Sequence, residues 1–199
     1  MAAALAQESK AYTSRKYGFA FQYPAVYELK VAVDSYFDFK KGKETLFSLR
    51  VDDRFIEMLY QMLRPGLVVY RTGEDPYREL AKETRKNQEL FYRYARHESR
   101  NWCSADGPDG SVYSQDIQNE KPFTSRSGLA CLELYPVMTR EDFASKTKEQ
   151  QVVGPIMAVY LPKEGLPLFL MLSPLHGESA SPAMIQEMRE IIDSLRLTP

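Results

Sequence analysis

The sequence predicts an α+β fold in which antiparallel strands share a core with a few helices. Three observations predict it. Tyr17, Phe19, Phe21 and Tyr23 fall at every second position, with Gly18, Ala20 and Gln22 between them, so four rings share one face of a strand. The apolar segments that follow are short and joined by turns too brief to hold crossover helices, which makes their pairing antiparallel. Two later segments carry 3.6-residue periodicity behind strong start signals, Asp75-Pro76 and Ser181-Pro182.

Taken in order, residues 1–10 read as a disordered lead and 11–199 as a single domain, in keeping with the total of 199 residues. Ala11-Tyr12-Thr13 adds a short strand before the aromatic one, which Pro24 ends because it lacks the N–H that a ladder needs. Glu28 to Val33, Tyr36 to Lys40 and Thr45 to Val51 continue a meander. Phe55, Ile56, Leu59, Tyr60 and Leu63 mark one face of a short helix, closed by Arg64-Pro65-Gly66.

From Pro76 to about Glu98 no Gly or Pro occurs, so the pattern predicts one long helix with Tyr77, Leu80, Ala81, Thr84, Phe91 and Ala95 as its apolar stripe. Asp106-Gly107-Pro108-Asp109-Gly110 is a turn. Ser111 to Ile117 and Leu129 to Tyr135 are strands; residues 118–127 and the polar stretch from Arg140 to Gln151 are expected to be loop-like. Pro155 to Leu161 and Leu168 to Leu172 form a hairpin around Pro162-Lys163-Glu164-Gly165, and the second of these is apolar on both faces and therefore central. Met184, Ile185, Met188, Ile191, Ile192 and Leu195 give the last helix its buried face, expected to cover the aromatic row.

Charge and motif content narrow the function. The 26 basic and 27 acidic residues leave a net charge of -1, without the basic excess of a dedicated nucleic-acid binder. The longest apolar run, Leu166 to Leu172, falls far short of the ~20 residues of a spanning helix. No G-x-S-x-G, P-loop or dinucleotide fingerprint is present. His97 lies on a charged helix face, and His176 sits in a loop near Ser173 without an acid partner in pattern. The 106–110 turn lacks the alternating carboxylates of a calcium loop, and no Cys/His cluster offers a zinc site, so no metal or cofactor is expected.

Candidate binding residues remain. Trp102, after a helix and before the 106–110 turn, and Tyr113 can line a small-ligand pocket, although core packing is the better account of a lone Trp. The helix from Arg78 to Arg100 holds seven Lys/Arg against four Glu, so Arg85, Lys86 and Arg93 either form a docking face for a protein partner or belong to a solvated exterior. Cys103 and Cys131 either pair, closing a loop worth about 3 kcal/mol in chain-entropy terms, or stay as thiols. Ala4-Leu5-Ala6 has the small-x-small spacing that signal peptidase cuts after. This suggests export to a periplasmic or extracellular space with Gln7 as the mature end; a plain flexible tail on a cytoplasmic protein is the alternative.

The two ends of the chain carry a resemblance. The pattern Tyr-x-x-x-x-Tyr-Gly-Phe-x-Phe-x-Tyr-Pro, Tyr12 to Pro24, is similar to the opening of PsbP-like domains, the group that shares its fold with the Ran-binding Mog proteins. The close, Ile191-Ile192-Asp193-Ser194-Leu195-Arg196-Leu197, resembles the ending of the same group. The match departs at Tyr27, near where the group often has Trp, and at 52–70 and 136–151, which look like additions. The resemblance implies an antiparallel sheet flanked by helices in an α/β/α sandwich. It also implies a non-enzymatic exported bacterial accessory or binding protein without established catalytic residues. A pocketed ligand binder or enzyme near the 100–127 loops, and an adaptor acting through the 76–98 helix, are the rival expectations.

Overall fold

The computed structural model describes residues 8–65, 75–101, 112–142, 145–163, 165–175 and 178–198. Strands β1 (Ser9–Ser14) and β2 (Phe19–Pro24) form a hairpin, and the chain then enters the main sheet as β3 (Glu28–Val33), β4 (Tyr36–Lys41) and β5 (Glu44–Asp52). Helices α1 (Phe55–Leu63), α2 (Pro76–Lys86) and α3 (Gln88–Asn101) follow. Strands β6 (Val112–Thr124), β7 (Ala130–Asp142), β8 (Thr147–Val152), β9 (Ile156–Leu161) and β10 (Leu168–Pro174) complete the sheet, before α4 (Pro182–Ser194) and the short β11 (Arg196–Leu197). The main sheet runs β3-β4-β5-β10-β9-β7-β6, with β8 also paired to β7, and a second sheet runs β1-β2-β11. The expected meander is thus divided between two sheets.

Two cores lie on opposite faces of the main sheet. On one face Phe37, Phe39, Phe47, Leu49, Cys131, Val159 and Leu170 meet Phe19, Phe21 and the α4 residues Met188, Ile191, Ile192 and Leu195. On the other, Leu132, Leu134, Ile156, Ala158, Phe169 and Met171 meet Phe55, Leu59, Leu80, Phe91 and Tyr94 of α1–α3. Strand β10 is buried along its whole length, as its two-sided apolar sequence predicts.

The aromatic row of β2 packs ring to ring on the sheet: Phe19 and Phe21 each lie 6.3 Å from Phe37, and Tyr23 lies 5.8 Å from Phe39. Helix α4 packs against the same strand, and the Gln22 N–H donates to Ser194 Oγ at 2.7 Å. The start signals act as read: Asp75 Oδ1 accepts from the Tyr77 N–H at 3.1 Å, and Ser181 Oγ from the Met184 N–H at 3.2 Å.

Four local expectations change. Ser9 and Lys10, expected in the disordered lead, already pair with Pro24 and Tyr23. The long helix breaks at Asn87, whose backbone is extended and whose side chain accepts from the Glu89 N–H at 3.1 Å, capping α3. Residues 118–124 are not loop but the outer half of β6, paired with β7 down to Thr124↔Ala130. The polar stretch after Arg140 is the end of β7 and all of β8, joined in a hairpin from Val137↔Val152 to Asp142↔Thr147. Both segments are polar because β6 is an edge strand and β8 is exposed at every position, so neither needs an apolar face. Between β8 and β9 the ladder breaks at Gly154, where φ is +93° and a Cβ would stand 3.0 Å from the Ile156 nitrogen, room that only glycine leaves. No helix among the described residues is long and apolar enough to cross a membrane.

Candidate functional site on the open face of the sheet

The helix-side core draws its strand residues from β7, β9 and β10, and none from β3, β4 or β5. The apolar helix-side core thus stops short of β4 and β5, and the alternation of the two strands decides what their polar α1–α3 face displays, from Ser48, buried at 4% exposed, to Tyr36 at 38%. Phe37 and Phe39, and Phe47, Leu49 and Val51, point to the opposite core. Tyr36, Asp38, Ser48, Arg50 and Asp52 consequently share the open side.

The register sets Tyr36 beside Arg50 and Asp38 beside Ser48. Tyr36 OH donates to Ser48 Oγ at 3.2 Å, and Ser48 donates onward to Asp38 Oδ1 at 2.9 Å. Beyond Arg50, α3 closes the row. Its buried face includes Tyr94 and Glu98, one turn apart. Glu98 accepts from Arg50 Nη2 at 3.0 Å, and Tyr94 OH donates to Asp52 Oδ2 at 2.6 Å. Burial first, and then the bond to Asp52, push the Tyr94 phenol far above its ordinary range, so it stays a donor. Arg50 also lies 3.9 Å from Asp52, so one guanidinium faces two carboxylates while keeping 42% of its side chain in water. The exposed Val33, opposite Tyr36 in the register, and Tyr36 itself give this row an apolar end. Oriented Tyr and Arg side chains beside exposed apolar groups suit recognition of another surface.

A second polar cluster pins α4. Glu133, 1% exposed on β7, accepts from Arg189 of α4 and from Tyr135 OH. Lys121 lies 5.4 Å over the Tyr135 ring, and Arg189 lies 5.9 Å over Phe123. Burial and the Glu133 bond push the Tyr135 phenol up to about 12. On the other flank of α4, Tyr27 OH donates to Glu187.

The residues singled out from sequence are scattered. Arg85 is engaged within the protein, donating to the carbonyls of Lys163 at 2.5 Å and Gly165 at 3.2 Å, so its guanidinium steadies the β9–β10 connection. Lys86 and Arg93 are exposed on either side of the Asn87 break. Trp102 and Cys103 lie outside the described residues, as do His176 and the 106–110 turn. The backbone of Tyr113 pairs with Arg140 in β6–β7; its side chain is not among those described. Cys131 is a free thiol in the α4-side core, and burial pushes it up to about 12. A surface cleft between β2 and α4, lined by Glu8, Tyr23, Glu190 and Ser194 among others, measures ≈ 110 Å³. That is well under the ~300 Å³ at which small-molecule sites begin. Among the described residues no three His, Cys, Asp or Glu side chains stand together as metal ligands. The open-face row escaped the sequence reading, although a signal existed: two adjacent strands alternate cleanly, and their polar halves must share one face.

A many-stranded antiparallel sheet, helices on one side and a terminal helix with a small β-layer on the other, closed where the two chain ends pair, is the PsbP/Mog-type fold. In particular, the chain is similar to the solution structure of cyanobacterial PsbP (CyanoP) from Synechocystis sp. PCC 6803. The TM-score is 0.50 at 13% identity, over 99% of this chain and 96% of that one. The Ran-binding protein Mog1p of Saccharomyces cerevisiae aligns with a TM-score of 0.44 at 9% identity, over 96% of each chain. No family model matches the sequence, and no curated protein does.

Proposed function

We propose that this is a non-enzymatic accessory protein that holds a protein partner on the open face of β3–β5. The observation that carries the reading is a pair of pre-ordered groups, Tyr36–Ser48–Asp38 and Arg50–Glu98, set side by side by the β4–β5 register on the polar stretch of sheet past the end of the helix-side apolar core. The shifted groups among the described residues are in keeping with it. Tyr94, Tyr135 and Cys131 move upward and Glu57 and Glu120 downward, all away from neutrality, whereas acid–base catalysts are tuned toward it. The PsbP-type fold is in keeping with the accessory role that the end motifs imply.

The test is co-purification from the native host with Val33→Asp/Tyr36→Ala and, separately, Lys86→Glu/Arg93→Glu. Loss of the partner in the first variant alone supports the open face; loss in the second alone moves the site to the helices and refutes it. We also propose export, on the Ala4-Leu5-Ala6 spacing. A native protein whose mass begins at Gln7 is the expected result; an uncut Met1 would refute export by that route.

A further inference from the structure

The two end strands of the main sheet's order, β6 and β3, are unlike. β6 carries Pro122 and a bulge between Ile117 and Asn119, both of which discourage another strand from adding to it. β3 is regular from Glu28 to Val31, and its bulge comes only at Val31/Val33. Edges are commonly guarded by like charges that repel a second copy. Here the two charged residues on the open side of β3 are Glu28 and Lys30, opposite in sign and two positions apart. Val26, Val31 and Val33 lie exposed along or beside the same strand, Val33 at 60%.

We propose that β3 pairs antiparallel with β3 of a second copy about a two-fold axis through Leu29. This reading goes beyond the partner face and stands without it. In this register Glu28 faces Lys30 of the second copy, and Lys30 faces its Glu28. Within one chain Glu28 is already opposite Lys40, and Lys30 opposite Asp38. The row across four strands becomes Lys40, Glu28, then Lys30 and Asp38 of the second copy, alternating in sign throughout, and its symmetry mate does the same. A register centred on Lys30 would instead set Lys30 against itself. Pairing about Leu29 uses the regular part of the strand, fills the unpaired N–H and C=O row, and leaves the Tyr36–Arg50 face of each copy open.

Sedimentation equilibrium from micromolar to millimolar protein tests it. Wild type is expected to dimerise. Glu28→Lys and Lys30→Glu are each expected to raise the dimer dissociation constant at least about tenfold, since each turns both attractive pairs into repulsive ones. An equimolar mixture of the two variants, and the double variant Glu28→Lys/Lys30→Glu, restore complementarity and should return to near the wild-type value. A wild type monomeric throughout, a dimer indifferent to the single variants, or a mixture that fails to recover would each overturn the proposal. Both residues are exposed, so unchanged circular dichroism accompanies every expected outcome.

Discussion

Replacing Arg189 by alanine probes the least expected feature of the interior, a carboxylate held inside the sheet. Glu133 is 1% exposed, and its partners are Arg189 and Tyr135. Removing one member of a buried pair costs about 3–5 kcal/mol, chiefly because the remaining charge is stranded. The Arg189 side chain is 45% exposed, so solvent screening brings the figure toward about 2–3 kcal/mol. Loss of the guanidinium from the Phe123 ring adds about 0.5 kcal/mol. A total near 3 kcal/mol corresponds, in a chain of this size, to a fall in Tm of about 6–12 °C. The decisive assay is a double-mutant cycle by urea denaturation. In a Glu133→Gln background no charge is left stranded, so Arg189→Ala should cost about 2 kcal/mol less there than in wild type. Equal costs in the two backgrounds would show that Glu133 is not stabilised by Arg189, and the account of α4's anchoring would fall.

Three further outcomes are expected. Cys131 holds its proton because burial raises its thiol from 9.0 to about 12, so a Cys103→Ser variant should show no thiol reactive toward Ellman's reagent when native and one when unfolded. The raised value in the folded state means that the stability linked to Cys131 is complete below about pH 9 and lost as pH climbs toward 12; Cys131→Ala should flatten that part of the alkaline unfolding profile, and an unchanged slope would contradict it. Asn87→Ala removes the acceptor for the Glu89 N–H and should cost about 1 kcal/mol by thermal melting, whereas a gain in stability would mean that the break is imposed by packing and not by the cap.

Much of the architecture was legible because it rests on relations between near neighbours. Alternation assigned Tyr17, Phe19, Phe21 and Tyr23 to one face, and Ser181-Pro182 started α4 where the structure starts it. The two segments read as loop share one cause. An edge strand such as β6 or an exposed hairpin such as β7–β8 has no buried face, so it looks like loop in sequence and is strand only because a neighbour supplies its hydrogen bonds. The candidate site was half legible: the polar positions of β4 and β5 are visible, but where the helix-side apolar core stops is not. Arg85 shows the converse, since a basic residue on a charged helix face looked available for a partner and instead binds carbonyls some eighty positions away.

What the sequence determined by itself was the face of the aromatic strand, the starts of α2 and α4 and the pair of end motifs, all built on short-range spacings. What only the tertiary structure decided was which surfaces meet. The hairpin of β1 and β2 leaves the meander to pair with β11 at the far end of the chain, through Ala20↔Arg196 and Phe19↔Leu197. Glu133, an ordinary polar position in an alternating strand, becomes a buried ion because α4 brings Arg189 across the chain to it. Contacts of that range depend on the mutual fit of whole apolar surfaces, and no local pattern records them.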